Sequence, residues 1–143
     1  MALKSYRDAL AIAERLAASD HSNMKWQSDL ALSYEKVGNV LVAQGKLDEA
    51  LKSYRDDLAI AERLVGTDSS NTQWQGKLFL AYMKVGDVLV RRGKLDEALK
   101  LYRNSLAIAE PLAAAEGSNT QWQRDLSMSY ERIGDVLEAQ GKA

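Results

Sequence analysis

Residues 51–64, LKSYRDDLAIAERL, decide the fold, because Tyr54 and the segment LAIAE that begins at Leu58 have counterparts at Tyr6 and Leu10 and again at Tyr102 and Leu106. The step is 48 residues each time. Working outward, Trp26, Trp74 and Trp122 keep the same step, as do Gly38, Gly86 and Gly134, and Gly45, Gly93 and Gly141. A period of this size is the mark of a solenoid, since one short unit cannot bury its own apolar face and must stack on a neighbour.

Within the middle copy, Leu47, Ala50, Leu51, Tyr54, Leu58, Ala61 and Leu64 recur at steps of three and four, which places them on one stripe of an α-helix. Asp48, Lys52 and Asp56 lie on the opposite side as an i, i+4 charge ladder, a solvated face. After the turn GTDSSN a second helical stripe runs through Trp74, Leu78, Ala81, Tyr82, Val85 and Leu89. Period-two alternation of β-branched residues is missing, so no strand competes. The pattern predicts helices near 2–18, 23–44, 47–66, 71–92, 95–115 and 119–140. The fold class is therefore all-α: an α-α superhelix, or solenoid, of antiparallel helical hairpins with about six helices. It forms a single repeat domain over 1–143 with units 2–49, 50–97 and 98–143, and a right-handed array is expected.

Local signals mark the helix ends. Ser70 with Gln73, and Ser118 with Gln121, fit a capping box, and Lys25 in the first copy predicts a weaker cap there. Gly45 and Gly93 can take the left-handed conformation that closes a helix, with Asp48 and Asp96 favouring the start of the next. Gly38, Gly86 and Gly134 sit inside apolar helix, where glycine costs about 1 kcal/mol relative to alanine, so a close approach through Ala50 or Ala98 is expected. Pro111 stands where the other copies have Arg15 and Arg63, and it predicts a kink or an early stop near residue 110. The repeated tryptophans read as core aromatics rather than a ligand cage.

Composition excludes several classes of function. Nineteen basic and twenty acidic residues give a net charge of −1, which offers no field for nucleic acid or an anionic membrane. No apolar run approaches a membrane span or a signal peptide, and a cytoplasmic location is the default expectation. There are no cysteines, and His21 is the one histidine, so neither a thiolate or multi-histidine metal site nor a histidine-based triad can be assembled. Gly86 to Lys94 only superficially resembles a phosphate loop, since no Ser or Thr follows the lysine and no strand precedes. The carboxylates lie on charged helix faces rather than in an apolar pocket. No catalysis and no cofactor are expected.

Tyr34, Val37, Gly38, Leu41, Gly45, Ala50 and Tyr54, then Tyr82, Val85, Gly86, Leu89, Gly93, Ala98 and Tyr102, and finally Tyr130, Ile133, Gly134 and Leu137, carry a specific pattern. The chain resembles the tetratricopeptide repeat family in it, over nearly its whole length. The unit departs from the family in its length, 48 residues against the usual value of about 34, and the extra residues amount to roughly four helical turns shared between two helices. The proline that usually follows the second helix is missing, with His21, Ser69 and Gly117 near that turn.

The resemblance implies a concave groove lined by the tryptophan-bearing helices, with a partner protein or peptide lying across successive units. The candidate groove residues are Glu35, Asn39, Met83, Asp87, Glu131 and Asp135, with Lys36, Lys84 and Arg132. Such a groove is polar and locally acidic, which favours a basic or neutral ligand over a peptide carboxylate. Both chain ends fall inside a unit, and Trp122, Leu126, Tyr130, Ile133 and Leu137 keep the full apolar stripe where a polar cap is usual. Self-association through the terminal helices, head-to-tail or symmetric, is therefore expected. Two functions fit: a protein-protein interaction scaffold, or a self-assembling structural repeat whose similar units arose by recent duplication or by design.

Overall fold

The computed structural model describes residues 2–115 and 119–142 and contains, among them, six α-helices in sequence. They are α1 (Ala2–Ser19), α2 (Met24–Ala43), α3 (Leu47–Thr67), α4 (Thr72–Arg91), α5 (Leu95–Ala115) and α6 (Thr120–Ala139). Every boundary falls within a residue or so of the position that periodicity predicts. Short turns force antiparallel pairing of neighbours, giving the hairpins α1/α2, α2/α3 and α5/α6. The contacts gather into two compact units, 1–81 and 82–143, so α4 gives its first half to one and its second half to the other. The 48-residue sequence units begin instead at Ala50 and Ala98, inside α3 and α5.

The helices ending at Gly45, Gly93 and Gly141 close in one way. These glycines have φ of 75°, 77° and 74°. In each case the glycine N–H and the N–H of the following lysine turn back into the last turn: Gly45 to Val42 O at 2.9 Å and Lys46 to Leu41 O at 2.9 Å, with Gly93/Lys94 and Gly141/Lys142 repeating the pair. This is a Schellman closure, which satisfies carbonyls that the helix end would leave bare.

The helix starts differ from the sequence expectation. Asn71, not Ser70, caps α4: its Oδ1 accepts the Trp74 N–H at 3.1 Å. Ser70 is held one residue earlier, its N–H and hydroxyl both donating to Asp68 Oδ1 at 3.1 and 2.6 Å. The first copy repeats this arrangement, with Asn23 accepting from Trp26 N at 3.0 Å and Ser22 bound to Asp20 Oδ1. Its cap is thus equivalent to that of α4, and Lys25 does not weaken it. In the third copy Asn119 accepts from Gln121 N and Trp122 N, whereas Ser118 and Gly117 lie outside the described residues. Asparagine caps as well as serine does and tolerates the turn geometry, so the turn's Asp-x-Ser-Asn order settles which residue acts. Asn71→Ala is expected to cost about 1 kcal/mol and Ser70→Ala less, measurable as shifts of the urea midpoint.

Pro111 neither stops α5 nor shortens it, since the helix continues to Ala115. Pro111 and Ala107, one turn apart, are both exposed. The ring therefore points to solvent, and the Ala107 carbonyl that loses its partner is open to water.

In the first unit the core gathers Ala13, Ala17, Leu30, Ala31, Ile60 and Leu64, with Leu10, Met24, Tyr34 and Trp74 packed partly buried against it. Trp26 is half-buried and Trp122 buried. In the second unit two fully buried serines satisfy one another across the α5/α6 hairpin, Ser105 Oγ to Ser129 Oγ at 2.8 Å, and Ser105 also donates to the Tyr102 carbonyl at 2.6 Å. The charge ladder is visible as an exposed Lys52–Asp56 pair at 3.0 Å, worth a few tenths of a kcal/mol by the usual measure of such pairs.

The mid-helix glycines make room for a neighbour, and that neighbour is a tyrosine ring rather than Ala50 or Ala98. A Cβ on Gly38 would lie 2.5 Å from Tyr54 Cε1, and one on Gly86 2.6 Å from Tyr102 Cε1. Ala50 and Ala98 are themselves fully buried, but they do not fill the notch. At Gly134 a Cβ would meet nothing within 4 Å.

Candidate functional site

The residue after each notch glycine receives the tyrosine hydroxyl. In the second unit Gly86 admits the Tyr102 ring of α5, and the Tyr102 hydroxyl donates to Asp87 Oδ1 at 2.5 Å. Arg132, on α6, grips the same carboxylate with one edge of its guanidinium: Nε donates to Oδ1 at 2.9 Å and Nη2 to Oδ2 at 3.2 Å. Burial, and then the Asp87 hydrogen bond, push the Tyr102 phenol well above its ordinary value, so it stays a donor. The hydrogen bond to Asp87 likewise holds the Arg132 guanidinium protonated above its usual range. With side chains 33% and 42% exposed, the Arg132–Asp87 pair is screened by solvent and worth about 1 kcal/mol or less.

This cluster borders a pocket of about 250 Å³. Val90, Leu95, Val136 and Ala139 supply its apolar lining, and Arg91 and Asp135 line it together with Asp87, Tyr102 and Arg132. Asp87 already has its cation. Asp135 and Arg91 make no hydrogen bond or ion pair among the described residues.

In the first unit the same construction carries one charge fewer. Tyr54, against Gly38, donates to Asn39 Oδ1 at 2.6 Å, so an amide stands where Asp87 does. Lys36 places its ammonium 5.8 Å from the centre of the Tyr6 ring. Tyr34 donates to Glu14 at 3.0 Å, as Tyr130 does to Glu110 at 3.1 Å. Burial and that hydrogen bond raise the Tyr34 phenol to about 12.

Of the groove residues expected from sequence, Lys36, Asn39, Glu131 and Asp135 are exposed, and Glu35, Lys84, Asp87 and Arg132 are half-buried. Asp87, Arg132 and Asp135 come together around the pocket. Met83 does not belong to an open surface: it is 2% exposed. The helix α4 buries Phe79, Ala81, Met83, Val85 and Val88 over most of its circumference, and an apolar side chain at a position held by Glu35 and Glu131 in the other copies is the sign of that burial. Among the residues expected on a sticky end face, Trp122 is also buried, while Leu126, Ile133 and Leu137 are half-buried and Tyr130 is 52% exposed. Trp122 shares the inward face of α6 with Asp125, Ser129 and Val136 and cannot lie on an outer one.

Sequence reasoning missed Tyr102, Arg91, Val90 and Leu95 as parts of the site. The signal was present in the pairing of Gly86-Asp87 with a tyrosine sixteen residues on, repeated at Gly38-Asn39 and Tyr54. Among the described residues no group of three or more His, Cys, Asp or Glu side chains could hold a metal ion, and no helix is long and apolar enough to cross a membrane.

Comparison with known proteins agrees with this architecture. The family profile described as tetratricopeptide repeat matches residues 30–71 and 80–110. No curated protein matches the chain. Among solved structures, the crystal structure of BtubC (BKLC) from P. vanneervenii is similar over 99% of this chain, with a TM-score of 0.66 and 19% sequence identity. The chain spans 50% of that structure's length, and at this identity the likeness is one of fold.

Proposed function

The chain belongs to the tetratricopeptide repeat family, and from that premise we propose that it is a protein-interaction module whose second unit receives a basic or neutral peptide segment. One observation carries this reading: Asp87, Arg132 and Asp135 line one pocket, where Arg132 pairs with Asp87 and Asp135 has no cation partner among the described residues. Glu131, one turn before Asp135 on the same helix, adds a second exposed carboxylate. An apolar side chain of the partner would fill the space walled by Val90, Leu95 and Val136, and a neighbouring lysine or arginine would meet the acidic rim. A peptide carboxylate would be repelled there.

Fluorescence polarisation against a set of short peptides, each with one leucine flanked by lysines, glutamines or glutamates, tests the proposal. Binding is expected to follow the order lysine, glutamine, glutamate and to weaken with salt. Glu131→Lys should weaken the lysine peptide about tenfold, equivalent to about 1.4 kcal/mol, and Arg91→Glu should tighten it. Equal binding of the glutamate peptide would refute the acidic rim.

A further inference from the structure

The first unit has a cavity of its own, about 300 Å³ in volume, where the α1/α2 turn and the start of α2 meet the last two turns of α3. Buried Ile60 and Leu64 and half-buried Met24 supply its apolar lining. His21, Arg63 and Thr67, all exposed, line it where solvent enters. Gln27 also lines it and is 6% exposed, with one amide hydrogen given to the Ala17 carbonyl at 3.4 Å. An amide nitrogen carries two hydrogens, so a second remains for an occupant.

The charge of this lining has one sign. Among the described residues no carboxylate lines the cavity, and the Arg63 guanidinium makes no ion pair or hydrogen bond. No acidic residue stands three or four positions from Arg63 on α3 to engage it. Asp20 and Asp68, next in sequence to His21 and Thr67, are held by serines instead: Ser22 Oγ donates to Asp20 Oδ1 at 2.5 Å and Ser70 Oγ to Asp68 Oδ1 at 2.6 Å.

The repeat separates what packing requires from what it does not. Gln27, Ile60 and Leu64 recur 48 residues on as Gln75, Ile108 and Leu112, whereas His21, Met24, Arg63 and Thr67 become Ser69, Thr72, Pro111 and Ala115. The cation, the ring N–H and the thioether thus belong to the first copy's cavity and not to the repeat. A buried apolar lining beside an uncompensated guanidinium fits an amphiphilic anion, since the guanidinium edge matches a carboxylate in two parallel hydrogen bonds.

We infer that this cavity binds a small organic monocarboxylate, its apolar tail against Met24, Ile60 and Leu64 and its carboxylate on Arg63, with His21 and the Gln27 amide as further donors. The volume is at the small end of the range for ligand pockets, about 300–1,000 Å³, and holds a phenyl ring or a short alkyl chain. The inference is independent of the peptide reading, which concerns the second unit and the opposite charge.

Three isosteric probes test it: phenylbutyrate, phenylbutanol and phenylbutylamine, titrated into the isotopically labelled chain by NMR. Phenylbutyrate is expected to bind most tightly and the amine least, with shifts centred on the Met24 methyl and the Gln27 side-chain amide. Arg63→Gln should weaken phenylbutyrate about tenfold and leave phenylbutanol unchanged. Arg63→Glu should invert the order, favouring the amine, and His21→Ala should weaken the acid less than Arg63→Gln does. These side chains are exposed, and thermal melts report that the variants are folded. Affinity for the lysine peptide should be the same in Arg63→Gln as in the unmodified chain, which keeps the two readings separable. Phenylbutyrate that moves neither reporter at millimolar concentration overturns the inference, as does equal binding of the three probes or an Arg63→Gln variant that binds the acid undiminished.

Discussion

Tyr102→Ala is expected to lower stability by about 3–5 kcal/mol, the usual cost of deleting a buried aromatic ring and leaving its cavity. Tyr102 is 1% exposed and fills the notch at Gly86, and its removal also takes one of two donors from Asp87. Tyr102→Phe separates these effects. It keeps the ring and loses the hydrogen bond, for a cost of about 1–2 kcal/mol with Arg132 still on the carboxylate. Tyr54→Ala should resemble Tyr102→Ala, because its ring is buried in the equivalent place. Tyr6→Ala should cost well under 1 kcal/mol in dilute solution, as surface substitutions do, since its ring leans on no notch within the chain. Urea unfolding followed by circular dichroism, with the slope checked for constancy, measures all four. Equal losses for the three alanine variants would mean that the notch is not what the tyrosine stabilises.

The helices and their limits were legible in the sequence because they rest on local signals: a 3.6-residue apolar stripe between residues that close or open a turn. Gly45 and Gly93 were readable for the same reason, each needing a positive φ that few other residues adopt. What escaped depends on atoms distant in sequence. Ser70 and Asn71 are both good caps, and only the capture of Ser70 by Asp68 shows which one acts. Gly38 announced a close approach without naming what approached; Ala50, also small and invariant across the copies, was the plausible candidate, and the Tyr54 ring is the actual one. Register with Glu35 and Glu131 places Met83 in the groove, whereas its apolar side chain belongs to the interior, where it is buried. The candidate site was half legible. Asp87, Arg132 and Asp135 follow from helix register, whereas their grouping around one pocket with Tyr102 and Leu95 needs α4, α5 and α6 placed together.

The three notch glycines should respond to one substitution with opposite signs. Alanine is favoured over glycine by about 1 kcal/mol in a helix interior, so Gly→Ala stabilises wherever the added methyl has space. Gly134 has that space and helical backbone, and Gly134→Ala is expected to raise stability by up to about 1 kcal/mol. At Gly38 and Gly86 the methyl would stand 2.5 and 2.6 Å from a ring carbon, closer than atoms in contact can lie. Tyr54 and Tyr102 are each tied at the hydroxyl and buried, so they cannot swing away without surrendering the bond to Asn39 or Asp87. Overpacking of this kind costs about 1–3 kcal/mol and outweighs the helical gain, making Gly38→Ala and Gly86→Ala destabilising. Thermal melts at micromolar concentration should therefore place Gly134→Ala above the unmodified chain and the other two below it. A stabilised Gly86→Ala would show that the Tyr102 ring relaxes freely. The sign of the substitution at Gly38 and Gly86 thus rests on one quantity, the stiffness with which a tyrosine ring holds its place over a glycine.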